Sequence, residues 1–227
     1  MIENKSKQKI FNKVIIIINI IYLIIIAVLL LKIKVSAAVS LNNTAYVYIG
    51  DNHIINMYNA LEKHDDNIFI VADEKADYDW FAKTGSEELY KLREKNNEVY
   101  SSWIYIINLG INDLHNINNY VNLYTELANE AKVYYMLINP TDDSAIKNKD
   151  VESFNEELLS VSSNILYIDT YDYLTKVSNY NINKDGSYDN ETYTKLYKFS
   201  MMSIAVQEFI KDNDNRYSAA FYLFNYR

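Results

Sequence analysis

The chain contains no cysteine, one proline and only four glycines in 227 residues. Without cysteine there are no disulfides, no thiolate metal sites and no cysteine nucleophile. With so little proline and glycine, no low-complexity linker splits the chain after its N-terminal segment. Histidine is scarce too, limited to His53, His64 and His115. Positive charge is in deficit: Lys and Arg total 22 against 30 Asp and Glu, for a formal charge of −8. No basic stripe interleaves with aromatics, so nucleic acid is not an expected partner. No cofactor is expected, and no metal either, because Asp51 and His53 would need a third ligand that the sequence does not supply.

Apolar material is abundant, at 49% hydrophobic against 23% charged, enough for one packed domain with a short appendage. The 22 tyrosines accompany many Asn, Ile and Lys residues. That pattern is compositional drift, and the count alone does not imply a tyrosine-lined binding surface.

Residues 14–31 are eighteen consecutive uncharged residues in which only Asn19 is strongly polar. As a helix they span roughly 27 Å, close to the hydrocarbon thickness of a bilayer. Lys5, Lys7, Lys9 and Lys13 precede the run and only Lys32 and Lys34 follow it. This bias predicts residues 1–13 inside the cell, a single membrane span and an exported remainder. Val35-Ser36-Ala37-Ala38 offers a signal-peptidase-like site, which would make the protein secreted instead. The apolar run exceeds a signal-peptide core of about 7–15 residues, which favours a retained anchor. Residues 32–44 read as a linker.

From residue 45 to 211, apolar runs alternate with amphipathic stretches. Strands are predicted at 45–49, 67–71, 103–109, 133–138 and 164–168, each a continuous β-branched and aromatic run suited to burial on both faces. Helical periodicity occupies 87–96, 120–131, 151–160 and about 191–211. The alternation predicts an α/β fold with a five-stranded, doubly wound parallel sheet, for which the flavodoxin-like order 2-1-3-4-5 is expected. Residues 212–227 read as a tail, with Phe221, Tyr222, Phe224 and Tyr226 clustered near its end. In such a sheet, ligands bind beyond the carboxyl ends of the strands where the winding reverses, here between strands one and three.

Three of the four glycines lie in polar runs at that edge: Gly50-Asp51-Asn52, Gly110-Ile111-Asn112-Asp113 and Asp185-Gly186-Ser187-Tyr188. A glycine-poor chain is expected to keep glycine where the backbone needs a positive φ or where a ligand approaches the main chain. In order and placement the three runs resemble the signature blocks of the SGNH, or GDSL, hydrolase family. The resemblance implies an oxyanion hole at Gly110 and Asn112 and a remnant triad acid at Asp185. It also implies that Asn52 stands at the nucleophile position and Tyr188 at the base position, both substituted, beside a matching Asp51. Asn139-Pro140, Phe154-Asn155, Ile168-Asp169 and the tyrosine-rich stretch 188–193 add lesser agreements.

Ester hydrolysis by this route needs a hydroxyl nucleophile and a base to take its proton. An amide is a very poor nucleophile, and a phenol with a pKa of about 10 stays protonated at neutral pH. In a serine protease, loss of nucleophile or base costs on the order of a million-fold in kcat. The expectation is a membrane-anchored, extracytoplasmic, catalytically impaired SGNH-like domain with a crevice for an acylated glycan, lipid ester or other cell-envelope ligand. The alternative is an active esterase or lipase-like hydrolase that uses His115 as base and Ser187 or a water as nucleophile. Each run also has a plain structural reading: Asp51 as a helix cap, Asn112 and Asp113 as turn formers, Asp185-Gly186 as a turn. His53 and His64 read most simply as capping or surface residues.

Overall fold

A computed structural model describes residues 43–161 and 165–213. The predicted span at 14–31, the signal-peptidase-like site and the aromatic end of the tail lie outside the described residues. Among the described residues, no helix is long and apolar enough to cross a membrane.

The five strands are β1 (Thr44–Gly50), β2 (Ile68–Ala72), β3 (Ser102–Asn108), β4 (Lys132–Met136) and β5 (Leu166–Ile168). They form one parallel sheet in the order β2-β1-β3-β4-β5. Thr44, expected in the linker, already opens β1, and every residue of β1 is buried. Among the described residues, four helices of two or more turns connect the strands, α1 (Asn52–Asn59), α2 (Ser86–Asn96), α3 (Ile117–Ala128) and α4 (Asn148–Val161), and a fifth, α5 (Asn190–Asn213), follows β5. The winding reverses between β1 and β3, where Gly50 pairs with Asn108. Both strands therefore deliver their following loops to one place.

Side chains alternate between the two faces, as the pleat requires. Val47, Ile49, Tyr105, Ile107, Val133 and Tyr135 join one core with Leu89 of α2, Leu123 of α3 and Phe154 of α4. On the opposite face, β1 and β4 meet α5 through polar tips: the hydroxyls of Tyr48 and Ser200 lie 2.7 Å apart, and Tyr134 and Lys132 both donate to Glu208. Several tyrosines thus serve as core residues whose hydroxyls find partners. Tyr48, Tyr105, Tyr120, Tyr134, Tyr135 and Tyr193 rank among the largest fully buried side chains.

Three details depart from the sequence expectation. The helix predicted from residue 87 is preceded by a helical turn at Tyr78–Trp80 and a π-helical turn at Phe81–Gly85. Asp77 starts that extension, accepting the Trp80 N–H at 2.8 Å. A similar pair, Thr170–Asp172 and Tyr173–Val177, follows β5. It starts at Asp169, which accepts the Asp172 N–H at 2.9 Å. Finally, α5 runs to Asn213, two residues into the expected tail.

Candidate active-site crevice

The loop after β1 turns sharply into α1. Asp51 caps that helix, its Oδ1 accepting the His53 N–H at 2.8 Å. Its side chain is 1% exposed, and Oδ2 has no hydrogen-bond partner among the described residues. Burial pushes the carboxyl above its usual range, partly offset by nearby His53. Asn52, at the expected nucleophile position, is half-buried at the start of α1. Gly50 corrects one expectation, because its φ is not positive. A Cβ there would lie 2.3 Å from Ile54 Cγ1 and 2.7 Å from the Asn108 carbonyl oxygen. The residue is small because α1 folds back tightly onto the sheet end.

After β3, Gly110 adopts φ +130°, and a Cβ there would meet the Phe154 ring at 2.6 Å. Asn112 is exposed and donates one amide N–H to the Ala76 carbonyl at 2.9 Å. Its amide is thus tied to the loop after β2. Asp113 is a structural knot. Its carboxylate accepts the Tyr78 N–H at 3.2 Å, the Asn116 amide at 2.9 Å and the Tyr120 hydroxyl.

The third run sits in a loop closed by a bridge between Ile182 and Tyr188. Gly186 turns it with φ +80°, its Cα side facing Thr141 so closely that a Cβ would lie 2.6 Å from Oγ1. Asp185 is exposed, and its Oδ1 accepts the Ser187 N–H at 3.0 Å and the Ser187 hydroxyl at 2.7 Å. Those bonds to Ser187 hold its carboxyl below the ordinary value, with His53 adding a minor attraction. Tyr188 is only 3% exposed, and its hydroxyl donates to the Pro140 carbonyl. Burial pushes the phenol far up, so at this position the residue packs and holds a neighbouring loop. Beside Pro140, the buried Asn139 has neither amide atom hydrogen-bonded among the described residues.

Of the other residues considered from sequence, Ser187 Oγ is shared between Asp185 and the Asn183 amide, the latter at 2.9 Å. His115 is exposed in the 3₁₀ turn Leu114–Asn116. His64 is exposed and stacks on Tyr58 at 3.8 Å. Among the described residues, no hydrogen bond joins an imidazole to a serine hydroxyl.

The residue that sequence reasoning undervalued is His53. Its Nδ1 lies 3.1 Å from the Tyr193 hydroxyl, and its ring centroid lies 5.5 Å from that of Tyr188. The Tyr193 hydroxyl also accepts the Asn56 amide and the Tyr188 N–H, each at 3.3 Å. An imidazole therefore does stand beside the expected base position, but it comes from α1. Its adjacency to Gly50-Asp51-Asn52 and the tyrosine-rich entry to α5 were the available signals.

No family model matches the sequence, and no curated protein matches it. The chain is similar in structure to a Streptococcus pneumoniae protein described as a platelet activating factor, with a TM-score of 0.51, 15% identity and coverage of 79% of this chain and 89% of that one. It is also similar to the C-terminal catalytic domain of Streptococcus pneumoniae peptidoglycan O-acetyltransferase A, solved with a methylsulfonyl adduct. That TM-score is 0.50 at 16% identity, covering 73% of this chain and 93% of that one. The fold is SGNH-hydrolase-like. At such low identity the likeness establishes architecture alone. Gly50 pairs with Asn108, so the loop that carries Asn52 and His53 and the loop that carries Asn112 leave the sheet from neighbouring strands, and the Asp185 loop closes at Tyr188, whose ring centroid lies 5.5 Å from that of His53.

Proposed function

We propose that this chain is a membrane-anchored, extracytoplasmic SGNH-like protein that does not hydrolyse esters efficiently and keeps a crevice for an acylated glycan of the cell envelope. The observation that carries the reading is the state of the two substituted positions. Asn52 offers an amide in place of a hydroxyl. Tyr188 has its phenol buried against the Pro140 carbonyl, facing away from any proton-accepting role. The apolar run at 14–31 and its preceding lysines support the anchor and the exported orientation. The glycan ligand draws on one structural neighbour, the catalytic domain of a peptidoglycan O-acetyltransferase.

The test is p-nitrophenyl acetate turnover by the full chain in detergent. The parent and Asn112→Ala are expected to share the same slow rate, and enzyme-like turnover abolished by Asn112→Ala would overturn the reading. The converse change, Asn52→Ser with Tyr188→His, is expected to raise turnover. The Tyr188 ring centroid lies 5.5 Å from that of His53, the residue after Asn52, so the exchange brings an imidazole to the first turn of α1.

A further inference from the structure

The Tyr193 hydroxyl has three hydrogen-bonding neighbours, and counting protons decides the state of His53. A phenol has one proton to give and two lone pairs to fill. The Tyr188 backbone N–H and the Asn56 amide both donate to it, which fills the lone pairs. The hydroxyl proton is left to point at the remaining neighbour, His53 Nδ1, at 3.1 Å. Nδ1 must then be the acceptor, and the neutral imidazole carries its proton on Nε2. A histidine serving as general base through Nε2 needs the reverse arrangement, with Nδ1–H donated to an orienting group and Nε2 bare. Tyr193 is 1% exposed, so it is not an accessible nucleophile for this imidazole to activate.

Nε2–H has no hydrogen-bond partner among the described residues, and His53 is half-buried. The loop that carries Asp185 closes at Tyr188, whose ring centroid lies 5.5 Å from that of His53. Asp185 Oδ1 is occupied by Ser187, while Oδ2 has no partner among the described residues. The first turn of α1 and the neighbouring Asp185 loop thus offer a fixed imidazole donor, a carboxylate acceptor and the neutral Asn52 amide. A fixed carboxylate repels an anionic ligand, whereas it accepts hydroxyls well.

Resting on the reading of this crevice as a glycan site, we propose that His53 is a ligand-binding donor, oriented by Tyr193, that hydrogen-bonds the carbonyl of an acetylated sugar while Asp185 accepts that sugar's hydroxyl. His53 contacts the ligand directly. Tyr193 acts through His53 and is a positioning residue.

The experiment is long-range ¹H–¹⁵N NMR of the full chain in detergent, with ¹⁵N-labelled histidine, at about pH 8 where ordinary imidazoles are neutral. The His53 signals are those lost in His53→Gln. The parent is expected to show the Nε2–H tautomer at His53, and Tyr193→Phe to show a mixture. An Nδ1–H tautomer at His53 in the parent would overturn the proposal, as would a folded Tyr193→Phe with an unchanged tautomer. Titration with N-acetylchitotetraose is then expected to shift His53 Nε2–H, while cellotetraose, which lacks the carbonyl, and sodium acetate leave it in place. Binding should weaken about 5- to 10-fold in His53→Gln, as for one lost neutral hydrogen bond. A shift with acetate but not with the acetylated sugar, or with neither, would overturn the ligand assignment. These readouts report binding and proton position, so they fail independently of the hydrolysis assay above.

Discussion

Replacing Tyr188 by Phe removes one oxygen atom from the position where the family resemblance puts a catalytic base. The ring keeps its neighbours, with the His53 and Tyr193 centroids both 5.5 Å away and Tyr180 at 6.1 Å. What is lost is the donor to the buried Pro140 carbonyl. A buried acceptor left without its partner costs about 1–3 kcal/mol. For a domain of this size each kcal/mol lowers Tm by about 2–4 °C, so the expected drop is about 2–12 °C. Circular dichroism melts of parent and Tyr188→Phe chains measure it, with p-nitrophenyl acetate turnover followed in parallel. The account expects lower stability and the same slow turnover. An unchanged Tm together with lost turnover would refute the reasoning, because the phenol would then be chemically active and structurally idle.

Three further outcomes follow from the same geometry. Gly110→Ala combines a left-handed φ, about 1–2 kcal/mol, with overpacking against Phe154, about 1–3 kcal/mol, for a total of about 2–5 kcal/mol in urea unfolding. In a Phe154→Leu background the packing share should shrink and the φ share persist, and strict additivity would contradict the contact. Asp51→Asn keeps the Oδ1 cap and removes a carboxyl whose pKa is raised by burial. A raised carboxyl contributes stability below its unfolded pKa of about 3.9 and loses it as pH climbs through the folded value. The variant should therefore gain on the parent as pH rises to neutrality in denaturant titrations, and a gain confined to acid pH would reverse the sign. Asp185 runs the other way, its lowered pKa giving a contribution lost only as pH falls below the ordinary carboxylate range. Asp185→Asn should thus leave stability at neutral and acid pH closer together than in the parent, as read by the same titrations.

The sheet was legible because its central strands β1, β3 and β4 are buried on both faces, so each reads as an apolar run such as Val133 to Ile138, while the edge strands β2 and β5 are only partly covered. The flavodoxin-like strand order matches the observed β2-β1-β3-β4-β5, although alternation alone fixes only parallel strands and crossover hand. The helical turns before α2 and after β5 were missed because short capped turns such as those begun by Asp77 and Asp169 carry little periodicity. The polar runs at the crevice were visible as motifs, but the partners of their side chains were not. The Tyr188 hydroxyl finds Pro140 across 48 positions, Asn112 finds Ala76 across 36, and His53 finds Tyr193 across 140. Contacts of such range depend on how the loops dock, which no local pattern encodes. The Gly50 case makes the same point: its small size answers to Ile54 and Asn108, a packing demand that looks identical in sequence to a ligand-approach glycine.

The most direct measurement is intact mass after exposing the full chain to a fluorophosphonate ester, which traps activated hydroxyl nucleophiles. With an amide at residue 52 and the neighbouring phenol turned into the core, the account predicts an unmodified mass, whereas stoichiometric covalent labelling would contradict it.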